Sequence, residues 1–153
     1  MPTEARPLVS VVVPVYNPGE YFAPFLASLQ AQTLQNWQAI LVDDGSTDGS
    51  AERIDSAARA DARILAVHQP NSGAAAARAR GVALAEGEFL LCVDSDDLMH
   101  PQMLRALVQA CQSQNAQLAF CRFAPFTETP SPDTEPPAGQ PLSGQAAREM
   151  LLH

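Results

Sequence analysis

Leu8-Val9-Ser10-Val11-Val12-Val13-Pro14-Val15 is the stretch that decides the fold. Five of its eight residues are valine, and the run is apolar almost throughout. Such a run reads as a strand buried on both faces, the kind that fills a parallel sheet. Asn17-Pro18-Gly19 punctuates its end.

Outward from this strand, the chain alternates. A helix is expected over Glu20–Gln32, with Phe22, Phe25, Leu26 and Leu29 at helical spacing. Pro24 is tolerated there because it falls near the first turn. Trp37–Asp43 (WQAILVD) reads as the second strand and Asp44–Ser50 (DGSTDGS) as a polar turn. Thr47 or Asp48 suits the cap of the next helix, near Gly49–Ala60, with Ala51, Ile54 and Ala58 facing inward. Ile64–Val67 is a third, short strand, and Asn71-Ser72-Gly73 a loop. Ala74–Ala85 is rich in helix formers. Gly87 ends that helix, and Glu88–Val93 (EFLLCV) makes a fourth strand. Pro101 fits a first helical position, ahead of an apolar stripe of Leu104, Leu107, Val108 and Cys111. Gln117–Phe123 reads as a fifth strand. The sum is an α/β protein, a Rossmann-like doubly wound, mostly parallel sheet flanked by helices.

Residues 1–123 are expected to form this α/β domain. Residues 124–141 are a proline-rich loop or a disordered segment: Thr127–Pro141 (TETPSPDTEPPAGQP) has no core residues to bury. Residues 142–153 open one more amphipathic helix. A helix that begins so near the end of the chain suits a longer natural protein.

The 153 residues carry a net charge of −8, and all nine basic residues are arginine. An acidic, lysine-free chain speaks against binding nucleic acid or an anionic membrane, both of which need cationic contacts. It also excludes Schiff bases and a P-loop lysine. Cys92, Cys111 and Cys121 form no CxxC pair or zinc spacing. Cys92 in an apolar run and Cys111 on a helix stripe read as buried free thiols of a reducing compartment. Met1–Pro7 does not resemble a signal peptide, and no stretch approaches the ~20 apolar residues of a membrane span. The expected location is the cytoplasm, with the inner face of the membrane as the place for a longer protein.

Ligands of open α/β sheets bind beyond the carboxyl ends of the strands. Three polar clusters fall there: Pro14-Val15-Tyr16-Asn17, Asp43-Asp44-Gly45-Ser46 and Asp94-Ser95-Asp96-Asp97. Crowded carboxylates repel one another, and a divalent cation relieves the penalty. Asp94 and Asp96, one residue apart, suit Mn²⁺ or Mg²⁺ with water and phosphate oxygens completing the shell. Arg78 offers a bidentate contact to phosphate. The blander readings are a helix cap for Asp48, solvation or loop hydrogen bonding for Asp43, rim packing for Tyr16 and a solvated surface for Arg80. His68 and His100 show no partner spacing and take no role. The spacing from Asp44 to Asp55 mimics an EF-hand loop, but a strand precedes it and Asp stands at the last ligand position. The pair Asp43-Asp44 lacks the lysine of a receiver pocket. Asp94-Ser95-Asp96 also resembles the first motif of haloacid-dehalogenase-like phosphatases, a rival enzyme reading weakened by Leu98 and by the motif's late position.

VSVVVPVYN (Val9–Asn17), ILVDDGSTDGS (Ile40–Ser50), NSGAAAARARG (Asn71–Gly81) and EGEFLLCVDSDD (Glu86–Asp97) together resemble the inverting family 2 glycosyltransferases of the GT-A fold. The likeness runs in order over about Leu8–Phe123. It implies transfer of a sugar, with inversion, from a nucleotide-sugar donor, most often a UDP-sugar, to a glycan or lipid-linked acceptor. The donor site so implied comprises Pro14, Val15, Tyr16, Asn17, Asp44, Arg78, Asp94, Ser95 and Asp96. Pro14, Val15 and Tyr16 would line the nucleoside pocket and Asp44 would contact the base. Asp96 would be the direct metal ligand, with Asp94 nearer the ribose or a metal-bound water. Ala79 departs from the asparagine usual at its position. The family's catalytic base lies in an acceptor half that nothing here matches, so the base is expected beyond residue 153. A non-catalytic nucleotide-sugar-binding module is the rival reading from another class.

Overall fold

Val9–Val15 forms the central strand, β1, and all seven of its residues are buried. Trp37–Asp43 (β2) pairs with it in parallel on one side, and Ile64–His68 (β3) lies beyond β2. Phe89–Cys92 (β4) pairs with β1 on the other side. The order is therefore β3-β2-β1-β4, with every pairing parallel. These features belong to a computed structural model that describes residues 6–121.

The helices between the strands are α1 (Phe22–Gln30), preceded by a 3₁₀ turn over Gly19–Tyr21, then α2 (Ser50–Ala60) and α3 (Ala74–Ala83). Side chains alternate across a sheet. Val12, Ile40, Val42 and Val67 share one face, where Ala77 of α3 packs on them. Their chain neighbours Asp43 and His68 face the other side, where Asp55 of α2 meets His68 Nε2 at 2.9 Å. Helices thus cover both faces, as right-handed crossovers require when the strand order reverses. Gly81 lets α3 lie close to the sheet: a Cβ there would stand 2.4 Å from Val12 Cγ1.

The chain steps outward from β1 to β2 to β3, then returns to the far side of β1 for β4. That reversal makes the β1–β4 boundary the switch point, where the loops leaving two neighbouring strands part and open a crevice.

Several expected boundaries shift. Two left-handed residues, Asn17 (φ 47°) and Gly19 (φ 60°), delay α1, so only a 3₁₀ turn forms before Phe22. Phe22, Phe25 and Leu29 are buried as their spacing predicts. Among the described residues β4 stands at the edge of the sheet, where Leu90 is 50% exposed and Cys92 is exposed, contrary to the buried thiol expected there. Cys111 is buried as expected, and Cys121 is exposed.

The chain divides into two compact units after Pro101. The described part of the second unit is α4 (Met103–Gln114) and a short continuation. Pro101 and Gln102 form a turn before α4 rather than its first residues. Leu104, Val108 and Cys111 make its buried stripe. Asn115 (φ 49°) closes it, with Ala116 N–H donating to the Cys111 carbonyl at 2.8 Å, a Schellman ending. The fifth strand expected over Gln117–Phe123 is corrected: residues 117–121 are irregular, with Leu118 and Phe120 exposed. An apolar run becomes a strand only where a neighbour takes its backbone hydrogen bonds. Arg122, Phe123 and the expectations for residues 124–141 and 142–153 lie outside the described residues. Among the described residues no helix is long and apolar enough to cross a membrane.

Candidate functional site

Strand pairing puts the loop after β1 beside the loops after β2 and β4. Val93 N–H donates to the Val12 carbonyl at 3.1 Å, and Asp44 N–H donates to the Val15 carbonyl at 2.8 Å. Pro14 and Val15 are buried within β1. Tyr16 is the first residue past the strand and is 54% exposed, an aromatic face open at the sheet edge. Asn17 turns its amide oxygen inward to accept Thr47 N–H at 2.7 Å, and its own N–H donates to Ser46 Oγ at 3.1 Å.

The loop after β2 is built around buried carboxylates. Asp43 Oδ1 accepts Ser46 N–H at 2.9 Å, and its Oδ2 faces His68 Nδ1 at 3.2 Å. Of the two bland readings for Asp43, loop hydrogen bonding is the one realised. Asp44, 3% exposed, receives three donors: Gln69 Nε2 and Ser72 N–H on Oδ1, and Gly73 N–H on Oδ2, each at 2.8 Å. The Gln69 amide holds the Asp44 carboxyl below the usual carboxylate range; burial pushes it up, and the Ser72 and Gly73 N–H groups add to the lowering. Gly45 fits the turn beneath (φ 79°), where a Cβ would stand 3.0 Å from Asn71 N.

Neither Thr47 nor Asp48 takes the cap position expected of it; Asp48 instead bonds two loops. Its Oδ1 accepts Ser50 N–H at 3.0 Å at the start of α2, while the cap position itself is Gly49. Its Oδ2 accepts Gly19 N–H at 2.8 Å from the loop after β1. His68, which the sequence left without a role, bridges Asp43 and Asp55 through its two ring nitrogens. Hydrogen bonds that it donates to Asp55 and then to Asp43 raise its pKa, against the downward pull of burial. Only the doubly protonated ring donates to both. Register was the missing signal, since Asp43 and His68 are paired positions of β2 and β3.

The loop after β4 is different. Asp94, Asp96 and Asp97 are exposed, and Ser95 between the first two is buried. Arg78 reaches across from α3, its Nη2 2.5 Å from Asp94 Oδ1. Partial burial, then the charges of Asp96 and Asp94, push the Asp97 carboxyl up. Arg80 is exposed. Among the described residues no group of three His, Cys, Asp or Glu side chains is arranged to hold a metal ion. Two exposed carboxylates with mutual repulsion do fit a hard divalent cation that takes its remaining oxygens from water or a ligand.

The family model for glycosyl transferase family 2 matches residues 10–144. The chain is 41% identical over 123 residues to glycosyltransferase GlyG of Streptococcus pneumoniae serotype 4, covering 80% of this chain and 41% of that protein. Among solved structures it is similar to S. aureus TarS 1–349 in complex with UDP, at TM-score 0.64 and 31% identity, over 70% of this chain and 32% of that one. It is also similar to the mannosyltransferase PcManGT from Pyrobaculum calidifontis in complex with GDP-Man and Mn²⁺, at TM-score 0.56 and 27% identity, over 62% and 29%. The chain thus spans less than half the length of these relatives.

Proposed function

This chain belongs to glycosyl transferase family 2 and has its GT-A fold, and from that premise we propose that residues 6–121 hold the donor of an inverting sugar transfer. The donor is a nucleoside diphosphate sugar, with uridine as the nucleoside. The observation that carries this reading is the meeting of Arg78 with Asp94 at the switch point, beside Asp96 and next to the loop of Tyr16. TarS is solved with UDP, and PcManGT with GDP-Man and Mn²⁺, which supports a nucleotide ligand and a divalent cation here.

Tyr16 offers its ring to the nucleoside. Asp44 holds the loop of Ser72 and Gly73, and its remaining acceptor capacity is what it can give to a base. Arg78 turns to the diphosphate. Asp96 and Asp94 would hold Mn²⁺ or Mg²⁺, which neutralises the charge of the leaving diphosphate. Asp44 and Asp48 are committed to loops, and Asp94 and Asp96 to this charge. The residues that carry the reading serve the donor and its leaving group only, so it puts the general base, with the glycan or lipid-linked acceptor, outside the described residues. Such a base is worth about 10²–10⁴-fold in rate, so the chain is expected to bind donor without efficient transfer.

Calorimetry with UDP, in Mn²⁺ and in EDTA, tests the reading. Binding should be tighter in Mn²⁺, and Asp96→Ala should abolish that difference. Equal affinity in the two buffers would remove the cation from the site.

A further inference from the structure

Gly19 is gripped at both ends of its peptide backbone. Its N–H donates to Asp48 Oδ2 at 2.8 Å, and its carbonyl accepts Arg53 Nη1 of α2 at 3.1 Å. Two residues earlier, Asn17 is bonded to the same neighbouring loop through Thr47 N–H and Ser46 Oγ. Both Asn17 and Gly19 adopt left-handed backbone, at φ 47° and 60°. A non-glycine residue in that conformation carries a cost that surrounding contacts must offset. At the start of α2, Asp48 Oδ1 accepts Ser50 N–H. The second oxygen of Asp48 instead serves a loop 29 residues away in sequence.

We infer that Asn17 and Asp48 are positioning residues of the nucleoside pocket: they fasten the loop that follows Tyr16 onto the loop after β2, so Tyr16 is set before a nucleotide arrives. The inference rests on the donor reading above. It gives Asp48 a task that acts through Tyr16, and it gives the Asn17 amide a task other than touching the ligand. When a loop is competent only part of the time, apparent affinity falls by that fraction.

The test is calorimetric titration of UDP, in Mn²⁺ and in EDTA, into folded chains checked by circular dichroism. Asp48→Ala is expected to weaken UDP by about tenfold, in keeping with the loss of two hydrogen bonds to a charged acceptor. The ratio of affinities in Mn²⁺ and EDTA should stay unchanged, because the cation's residues lie on the loop after β4. In a Tyr16→Ala background, adding Asp48→Ala should change affinity by no more than about twofold, since the residue it positions is gone. Asn17→Gly keeps the left-handed backbone free of strain and deletes only the amide; about a threefold loss is expected, and it serves if Asp48→Ala does not fold. Wild-type affinity in the folded Asp48→Ala chain, or a full tenfold loss persisting without Tyr16, overturns the inference alone. A wild-type chain that does not bind UDP overturns the donor reading first, and the inference with it.

Discussion

The end of β2 with its following loop, and the loop after β4, each bring three aspartates to the same edge of the sheet. Asp43, Asp44 and Asp48 accept backbone N–H groups, and the first two are buried. Asp94, Asp96 and Asp97 stand exposed, one facing Arg78 and one raised in pKa by partial burial and its neighbours' charges. The same residue type makes framework in one loop and unspent charge in the other. What separates them is supply of donors: left-handed turns at Gly45, Gly49 and Gly73 shape the loops whose N–H groups these carboxylates accept.

The contrast breaks most readily at Asp44. Asp44→Ala should destabilise the fold by about 3 kcal/mol, because three short bonds to a buried carboxylate are lost together. Chemical denaturation measures it, and a loss below about 1 kcal/mol would show that the loop does not depend on Asp44. The lowered Asp44 pKa has a consequence for acid: its contribution is present above the ordinary value of 3.8 and is lost as pH falls through the folded value.

His68 sharpens the comparison at neutral pH, with a smaller effect. Its pKa is raised above 6.5, so its contribution is whole below that value and drains away as pH rises through the folded pKa. The side chain is 42% exposed, and solvent screening holds the effect to about 1 kcal/mol or less. Denaturation of wild type and His68→Gln across pH 5.5 to 9 should give curves that converge at the alkaline end. Parallel curves would mean that the bridge contributes nothing that titrates.

The smallest effect is expected in the acidic loop, and its sign is opposite. Asp96→Asn should leave stability unchanged or raise it by about 0.5 kcal/mol, because it removes a like charge near Asp97. Carbon-detected NMR titration should show the Asp97 pKa moving back toward the usual carboxylate range. A clear destabilisation would mean that Asp96 is framework after all, and the two loops would no longer differ.

The sequence carried the strands that are buried on both sides. β1 and β2 are apolar for reasons independent of their neighbours, and their bounds were readable to within a residue or so. β4 stands at the edge of the sheet among the described residues and leaves Leu90 half exposed, so its apolar run overstated its burial there. The fifth strand failed for the same reason in stronger form. In the candidate site, the grouping of Asp94 with Asp96 was legible because their spacing is local, whereas Arg78 Nη2 reaches Asp94 Oδ1 across 16 residues of chain. The bonds from Asp48 to Gly19 and from His68 to Asp43 were not, because they depend on which strands adjoin and in what register. A cap and a cross-loop tie use the same aspartate and look identical along the chain.

The strand order has a consequence for how the protein is assembled in time. β1 meets β2 through pairs such as Val9 with Trp37, but it meets β4 through Val9 with Phe89, a separation of 80 residues. Closing the longer loop costs more chain entropy and comes later during synthesis from the amino terminus. A nascent chain that has emerged only as far as β3 already owns every residue that ties Asn17 to Thr47 and Gly19 to Asp48. The exposed acids arrive last, on a strand that docks against a finished three-stranded sheet. The tie between the first two loops and the exposed acids after β4 thus form as separate events in the birth of the molecule, ordered by topology.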